Sequence, residues 1–139
     1  MGVFDPRPGR AGSIAPVKSR FSSLCPTIVM RDGTPRLVIG APGGTQIAMG
    51  VLQATLNVLD FDMPMDRAVA APRFSSTSDA IDISNRIPNY AVDPLRADGY
   101  EIIRAASSFG FAAVHGIRVD DGTLTGGADP GHDGVALSV

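Results

Sequence analysis

Tryptophan is absent from this 139-residue chain, cysteine occurs once and histidine twice. The single cysteine, Cys25, has no partner for an internal disulfide, so no disulfide framework can hold the fold. One cysteine and two widely separated histidines, His115 and His132, give no zinc spacing. No metal and no cofactor are expected. Aromatic residues make up 6% of the chain, too few for a platform that stacks nucleic-acid bases. Net charge is −2 and no basic run occurs, so no nucleic-acid partner is expected. No apolar run approaches the roughly 20 residues of a membrane span. The first ten residues lack the apolar core of a signal peptide. A soluble chain is expected, with its compartment open. It is cytoplasmic or periplasmic according to what a precursor carried at its N-terminus.

What is present reads as one globular domain. Hydrophobic residues make up 44% and charged residues 19% of the chain, the usual balance for a domain with a core. Residues 1–20 are rich in Pro, Gly and Arg without periodicity, and read as an extended arm. Residues 21–139 carry the periodic segments. The run from Leu37 to Asp60 organises them. It reads as a short strand, a Gly43-Gly44 turn, and a helix from Ile47 onward. That helix is apolar around nearly its whole circumference, which predicts burial on most sides.

Asp32-Gly33, between Thr27–Met30 and Arg36–Ile39, is the strongest hairpin signal. Met65 to Ala71 reads as a short helix ended by Pro72. Ala80–Ile83 alternates like a strand. Asn89 to Gly99 reads as a helix closed by Gly99. Strands are expected over Tyr100–Arg104, Ala112–Val119 and Thr123–Gly126, with Asp120-Asp121-Gly122 turning between the last two. Gly134–Val139 can add a final strand. The mixture predicts an α+β fold or layered sandwich with a mostly antiparallel sheet.

Local chemistry leaves several readings open. Gly43 and Gly44 precede a helix N-terminus, where unpartnered N–H groups and the macrodipole favour negative charge. Two such N–H groups suit a developing oxyanion. Alone, a Gly-Gly pair is read first as a sharp turn. Ser22 and Ser23 suit a ligand loop or simple turn capping. His115 reads as a structural or edge histidine, and Cys25 as a small buried apolar residue. The Asp129–Asp133 stretch reads as a plain turn, with metal binding as its rival. Arg73 is expected to pair with Asp60, Asp62 or Asp66 in a structural role.

Several stretches taken together resemble the gamma-glutamyltransferase family. They are Ser22 to Val29 followed by Asp32-Gly33, and Gly40-Ala41-Pro42-Gly43-Gly44 followed by Val51-Leu52-Gln53 and Asn57 to Asp60. Ala68-Val69, Ala71-Pro72-Arg73-Phe74, Gly127-Ala128-Asp129-Pro130 and Asp133-Gly134 complete the series. Their order fits from about Phe4 to the C-terminus.

The resemblance implies part of an N-terminal nucleophile hydrolase, an α-β-β-α four-layer sandwich. In that family a precursor cuts itself, and the new N-terminal threonine of the small subunit attacks the donor. Its own α-amine acts as base. A gamma-glutamyl group moves from glutathione or a similar amide to water or an amine. Ser22 and Ser23 match the pair that holds the donor α-carboxylate, and Gly43 and Gly44 match the oxyanion hole. The nucleophilic threonine would precede Phe4, so the chain alone is expected to be inactive. The implied partners are the upstream part of the small subunit, a large subunit that supplies an arginine, and a small gamma-glutamyl substrate. Val3 stands where the family often has an acidic residue for the donor ammonium. Two rivals follow. One is a related acylase with a different acyl group. The other is a non-catalytic fragment or pseudoenzyme that forms homo-oligomers through open edges and apolar faces.

Overall fold

Asp32 and Gly33 both take positive φ, 51° and 77°, as the two central residues of a tight hairpin turn require. They join β1 (Thr27–Arg31) to β2 (Thr34–Gly40) in antiparallel register, with Thr27 opposite Ile39. The same device recurs at Asp121 and Gly122, with φ of 46° and 83°. There it joins β6 (His115–Asp120) to β7 (Thr123–Ala128). This computed structural model describes residues 5–137.

The four strands form one antiparallel sheet in the order β1-β2-β6-β7. Leu37 and Ile39 of β2 point to one face and are buried there. Against that face lie α1 (Ile47–Leu59), entered through a 3-10 turn at Gly44–Gln46, and α2 (Met65–Ala70). The core joins Leu37 and Ile39 to Val51, Ala54 and Val58 of α1, to Met65 and Val69 of α2, and to Val114. Each large apolar side chain buried this way contributes about 1.5–3 kcal/mol.

A second sheet joins β3 (Phe74–Ser75), β4 (Ile81–Ile83) and β5 (Ile102–Arg104) in that order. β3 runs antiparallel to β4, and β4 runs parallel to β5. A parallel neighbour needs a crossover, and α3 (Asn89–Ala97) supplies it. The side chain of Gln53 docks this sheet on α1. Its amide donates to the Phe74 carbonyl at 2.8 Å and accepts from the Phe74 N–H at 3.1 Å. A helix side chain thus takes the place of a neighbouring strand.

Four expectations need correction. First, α1 is buried on one face, not most of its circumference. Ile47, Gly50, Val51, Ala54 and Val58 face inward, while Leu52, Leu56 and Leu59 form an exposed stripe. Second, no strand forms over 134–137, and the expected strand's last residues, Ser138 and Val139, lie outside the described residues. The tail instead folds back over β7, where a Cβ added at Gly126 would lie 2.7 Å from the Ala136 Cβ. Third, β6 begins at His115 rather than Ala112, because Ala112–Val114 pack under α1 as its lead-in. Fourth, Arg73 pairs with none of Asp60, Asp62 and Asp66, because its guanidinium turns inward to Asp129.

Residues 5–26 hold no helix and no multi-residue strand, only one isolated bridge between Asp5 and Ser13. The Arg7 side chain hydrogen-bonds Asp5 and holds its carboxyl below the ordinary carboxylate range.

Candidate active site

The strand register brings four chain segments out at one end of the large sheet. Thr27 opposes Ile39, Gly40 opposes His115, and His115 opposes Ala128. So residues 22–26, 41–46, 112–114 and 129–132 all leave from that end. They carry the sequence-matched residues Ser22, Ser23, Gly43 and Gly44. His115 and Asp129 stand there as well.

The turn at Gly43 and Gly44 is held by the lead-in to β6. Ala113 N–H donates to the Pro42 carbonyl at 3.0 Å, and Gln46 N–H donates to the Gly43 carbonyl at 3.3 Å. Gly43 has a φ of 145° and Gly44 one of 61°, values that L side chains resist. Both residues are solvent-exposed. Among the described residues, neither the Gly43 nor the Gly44 N–H donates to an acceptor within the protein. Gly44 opens the helical turn that leads into α1, so partial positive charge gathers at the same place.

Ser22 is exposed and Ser23 half-buried. Ser22 Oγ accepts the Leu24 N–H at 3.3 Å, which fixes the loop by a local turn. Cys25 is half-buried against the core rather than fully enclosed, and its thiol lies 3.8 Å from Thr27 Oγ1. His115 is half-buried at the same sheet end. The chain at Gly134 passes directly over its ring, where an added Cβ would be 2.5 Å from Cε1. Val3 lies outside the described residues.

Sequence reasoning missed the deepest charge pair of the site end. Arg73 is 5% exposed and Asp129 is 1% exposed. One terminal nitrogen of Arg73 bonds Asp129 Oδ2, and the other donates to the Val69 carbonyl at 2.5 Å. Asp129 Oδ1 accepts the Gly131 N–H at 2.8 Å. Both carboxylate oxygens are therefore engaged inside the protein. The available signal was the recurrence of Arg73 and Asp129 in separate matched stretches. Among the described residues, no group of three His, Cys, Asp or Glu side chains is placed to hold a metal ion.

A second charge cluster sits toward the opposite end of the sheet and serves the scaffold. Arg118 bonds Asp62 at 2.6 Å and also Asp120, while Arg36 bonds Asp120 at 2.8 Å. The Asp62 hydrogen bond first, and Asp120 second, raise the Arg118 pKa above its ordinary value.

The other face of the large sheet is apolar and open. Ile28, Val38, Ile117 and Leu124 are exposed there. Val38, Ile117 and Leu124 line a groove of about 1000 Å³ that the Val135–Leu137 tail partly covers.

This helix-on-sheet arrangement is part of the N-terminal nucleophile hydrolase sandwich of α-β-β-α layers. It superposes on a gamma-glutamyltranspeptidase from Pseudomonas nitroreducens, solved in complex with L-DON, with a TM-score of 0.80. That match has 34% sequence identity and covers 94% of this chain and 69% of the solved one. The chain belongs to the gamma-glutamyltranspeptidase family, whose sequence profile matches residues 2–139.

Two relatives show the family's breadth. The Acylase ACY 1 proenzyme of Pseudomonas sp. (strain SE83) is 35% identical over 140 residues, covering 100% of this chain and 25% of its own length. The glutathione hydrolase proenzyme of Pseudomonas aeruginosa is 36% identical over 134 residues, covering 93% and 24%. The chain thus spans about a quarter of the length of these relatives. Among the described residues no helix is long and apolar enough to cross a membrane.

Proposed function

We propose that this chain supplies the oxyanion turn and the carboxylate-binding loop of an amide-cleaving acyltransferase. The observation that carries this reading is the exit of the Ser22-Ser23 loop and the Gly43-Gly44 turn from one end of the sheet. The nucleophile, a threonine at the start of the small subunit, belongs to the portion upstream of Phe4. A larger subunit completes the site.

In this reading the threonine hydroxyl attacks the donor's amide carbon. Its proton passes to the threonine's own amine, and the carbonyl electron pair moves onto oxygen. The Gly43 and Gly44 N–H groups donate to that oxygen, and the exposed helical turn behind them adds its dipole. The amine leaves with the proton, and water or an acceptor amine then releases the acyl group. Ser22 and Ser23 hold the donor carboxylate and fix which carbonyl meets the nucleophile.

Val3 favours a second reading of the donor. An apolar side chain gives an ammonium no partner, while the serine pair still suits a carboxylate. The donor is then a monoamide of a dicarboxylic acid without the α-amine. The chain is similar both to an acylase and to glutathione hydrolases, so Val3 alone carries this choice. The apolar outer sheet face suits the second sheet of the sandwich, supplied by the upstream portion. Without that cover, the isolated chain associates with itself through this face.

Ser22→Ala and Ser23→Ala test the reading in the full-length protein. Hydrogen bonds to a charged group contribute about 1.5–3 kcal/mol. KM for an anionic donor therefore rises on the order of tenfold to hundredfold, while its methyl ester is hardly affected. Equal loss on both donors would remove the carboxylate role.

A further inference from the structure

We infer that Arg73 and Asp129 are positioning residues for the turn at Gly43 and Gly44; the inference rests on the oxyanion role proposed above. Neither side chain bonds a residue of the turn, and a short relay of strand pairs joins them to it. Asp129 follows Ala128 at the end of β7, Ala128 pairs with His115, and His115 pairs with Gly40 at the end of β2. Immediately before His115, Ala113 N–H holds the Pro42 carbonyl and Ala112 stands against Gly43. The seat of the turn is thus residues 112–115, and the outer support of that seat is the end of β7.

The Arg73–Asp129 bond pins that end. Arg73 spends one terminal nitrogen on Asp129 and one on the last turn of α2 at Val69, while its buried Nε has no acceptor. Its own carbonyl accepts the Ser84 N–H at 2.9 Å. One residue therefore ties the large sheet, α2 and the small sheet together. On the other side of the bond, Gly131 is wedged in place. A Cβ there would lie 2.4 Å from the Phe109 Cβ and 3.1 Å from Asp129 Oδ1. A side chain at position 131 would have to displace Phe109, so glycine keeps its N–H on Asp129 Oδ1.

A buried ion pair often contributes little net stability, and replacing both partners by apolar residues is frequently tolerated, whereas removing one leaves a bare charge. This separates a positioning role from a merely structural one. The test is the full-length protein, formed by this chain with its upstream portion, in wild-type, Arg73→Met, Asp129→Asn and Arg73→Met/Asp129→Leu forms. Melting temperature, kcat and KM are measured on an anionic chromogenic amide.

The expected result is that each single change lowers the melting temperature and the double change restores it. In the restored double variant kcat stays lower by on the order of tenfold to hundredfold, the scale for a small misplacement of catalytic groups, and KM is nearly unchanged. Amide exchange at Ala113 quickens while that at Leu37 does not. Arg73→Lys, which keeps the charge, recovers part of kcat. A double variant with wild-type melting temperature, kcat and Ala113 exchange overturns the inference. Should the double variant not accumulate, Asp129→Asn with unchanged kcat and exchange does the same. An inactive wild-type protein instead removes the functional reading, and the inference with it.

Discussion

A Cβ added to Gly43 would lie 2.6 Å from both the Cα and the Cβ of Ala112. Contact this close involves backbone on one side, so no side-chain rotation relieves it. Gly43 also sits at a φ of 145°. Gly43→Ala therefore combines strain and overpacking, for a cost of roughly 3 kcal/mol. Gly44 is different. Its φ is 61°, and an added Cβ meets nothing within 4 Å. Gly44→Ala costs about 1–2 kcal/mol of backbone strain. Thermal melts of the two variants check the order: Gly43→Ala melts well below Gly44→Ala.

The docking of the small sheet on α1 gives a second prediction. Gln53→Leu removes the amide that pairs with both polar groups of Phe74. Each such hydrogen bond contributes about 1 kcal/mol net, so a loss of about 2 kcal/mol is expected. Hydrogen exchange should report it locally. The Phe74 amide gains exchange in the variant, while the Val51 amide in α1 keeps its protection.

The open sheet face gives a third. Val38 and Ile117 stand side by side on it, paired across β2 and β6, and both are exposed. Light scattering of the isolated 139-residue chain is expected to show association that grows with concentration. Ile117→Lys places a charge at the centre of the face and shifts the chain toward monomer. Co-expression with the upstream portion has the same effect without any substitution. A wild-type chain that stays monomeric at micromolar concentration contradicts the expectation.

The choice of donor gives a fourth. With Val3 in place of an acidic residue, the full-length protein is expected to prefer a glutaryl anilide over a gamma-glutamyl anilide. Val3→Asp moves the preference toward the gamma-glutamyl donor, because a carboxylate then meets the ammonium. Competition between the two anilides in one reaction measures the ratio directly.

Local turn chemistry made much of the fold legible in the sequence. Asp32-Gly33 and Asp121-Gly122 marked both hairpins, since few residue pairs accept positive φ twice in succession. Gly99, with a φ of 91°, marked the end of α3. What escaped was non-local. β3 is only two residues long, and its neighbours are β4 and a helix side chain distant in sequence. The Arg73–Asp129 pair spans 56 residues, and nearer aspartates made more obvious partners. The exposed Leu52, Leu56 and Leu59 stripe was unreadable for another reason. Apolar character shows that a surface wants cover, without showing whether this chain or another segment provides it.

The same limit applies to the site. Read alone, the Gly43-Gly44 pair marked only a sharp turn, and its oxyanion reading came from the family resemblance. The contact that makes Gly43 necessary, Ala112, left no mark in the sequence, because any small residue would read the same there.

The most direct test is release of the chromophore from a carboxylate-bearing anilide, gamma-glutamyl or glutaryl. It compares the purified 139-residue chain with the same chain matured together with its upstream portion. The account predicts no turnover by the chain alone, and turnover by the assembled protein that falls when Gly43 is replaced by alanine, whose Cβ would push the turn off Ala112. Turnover by the chain alone would contradict it, because the nucleophile would then lie within these 139 residues.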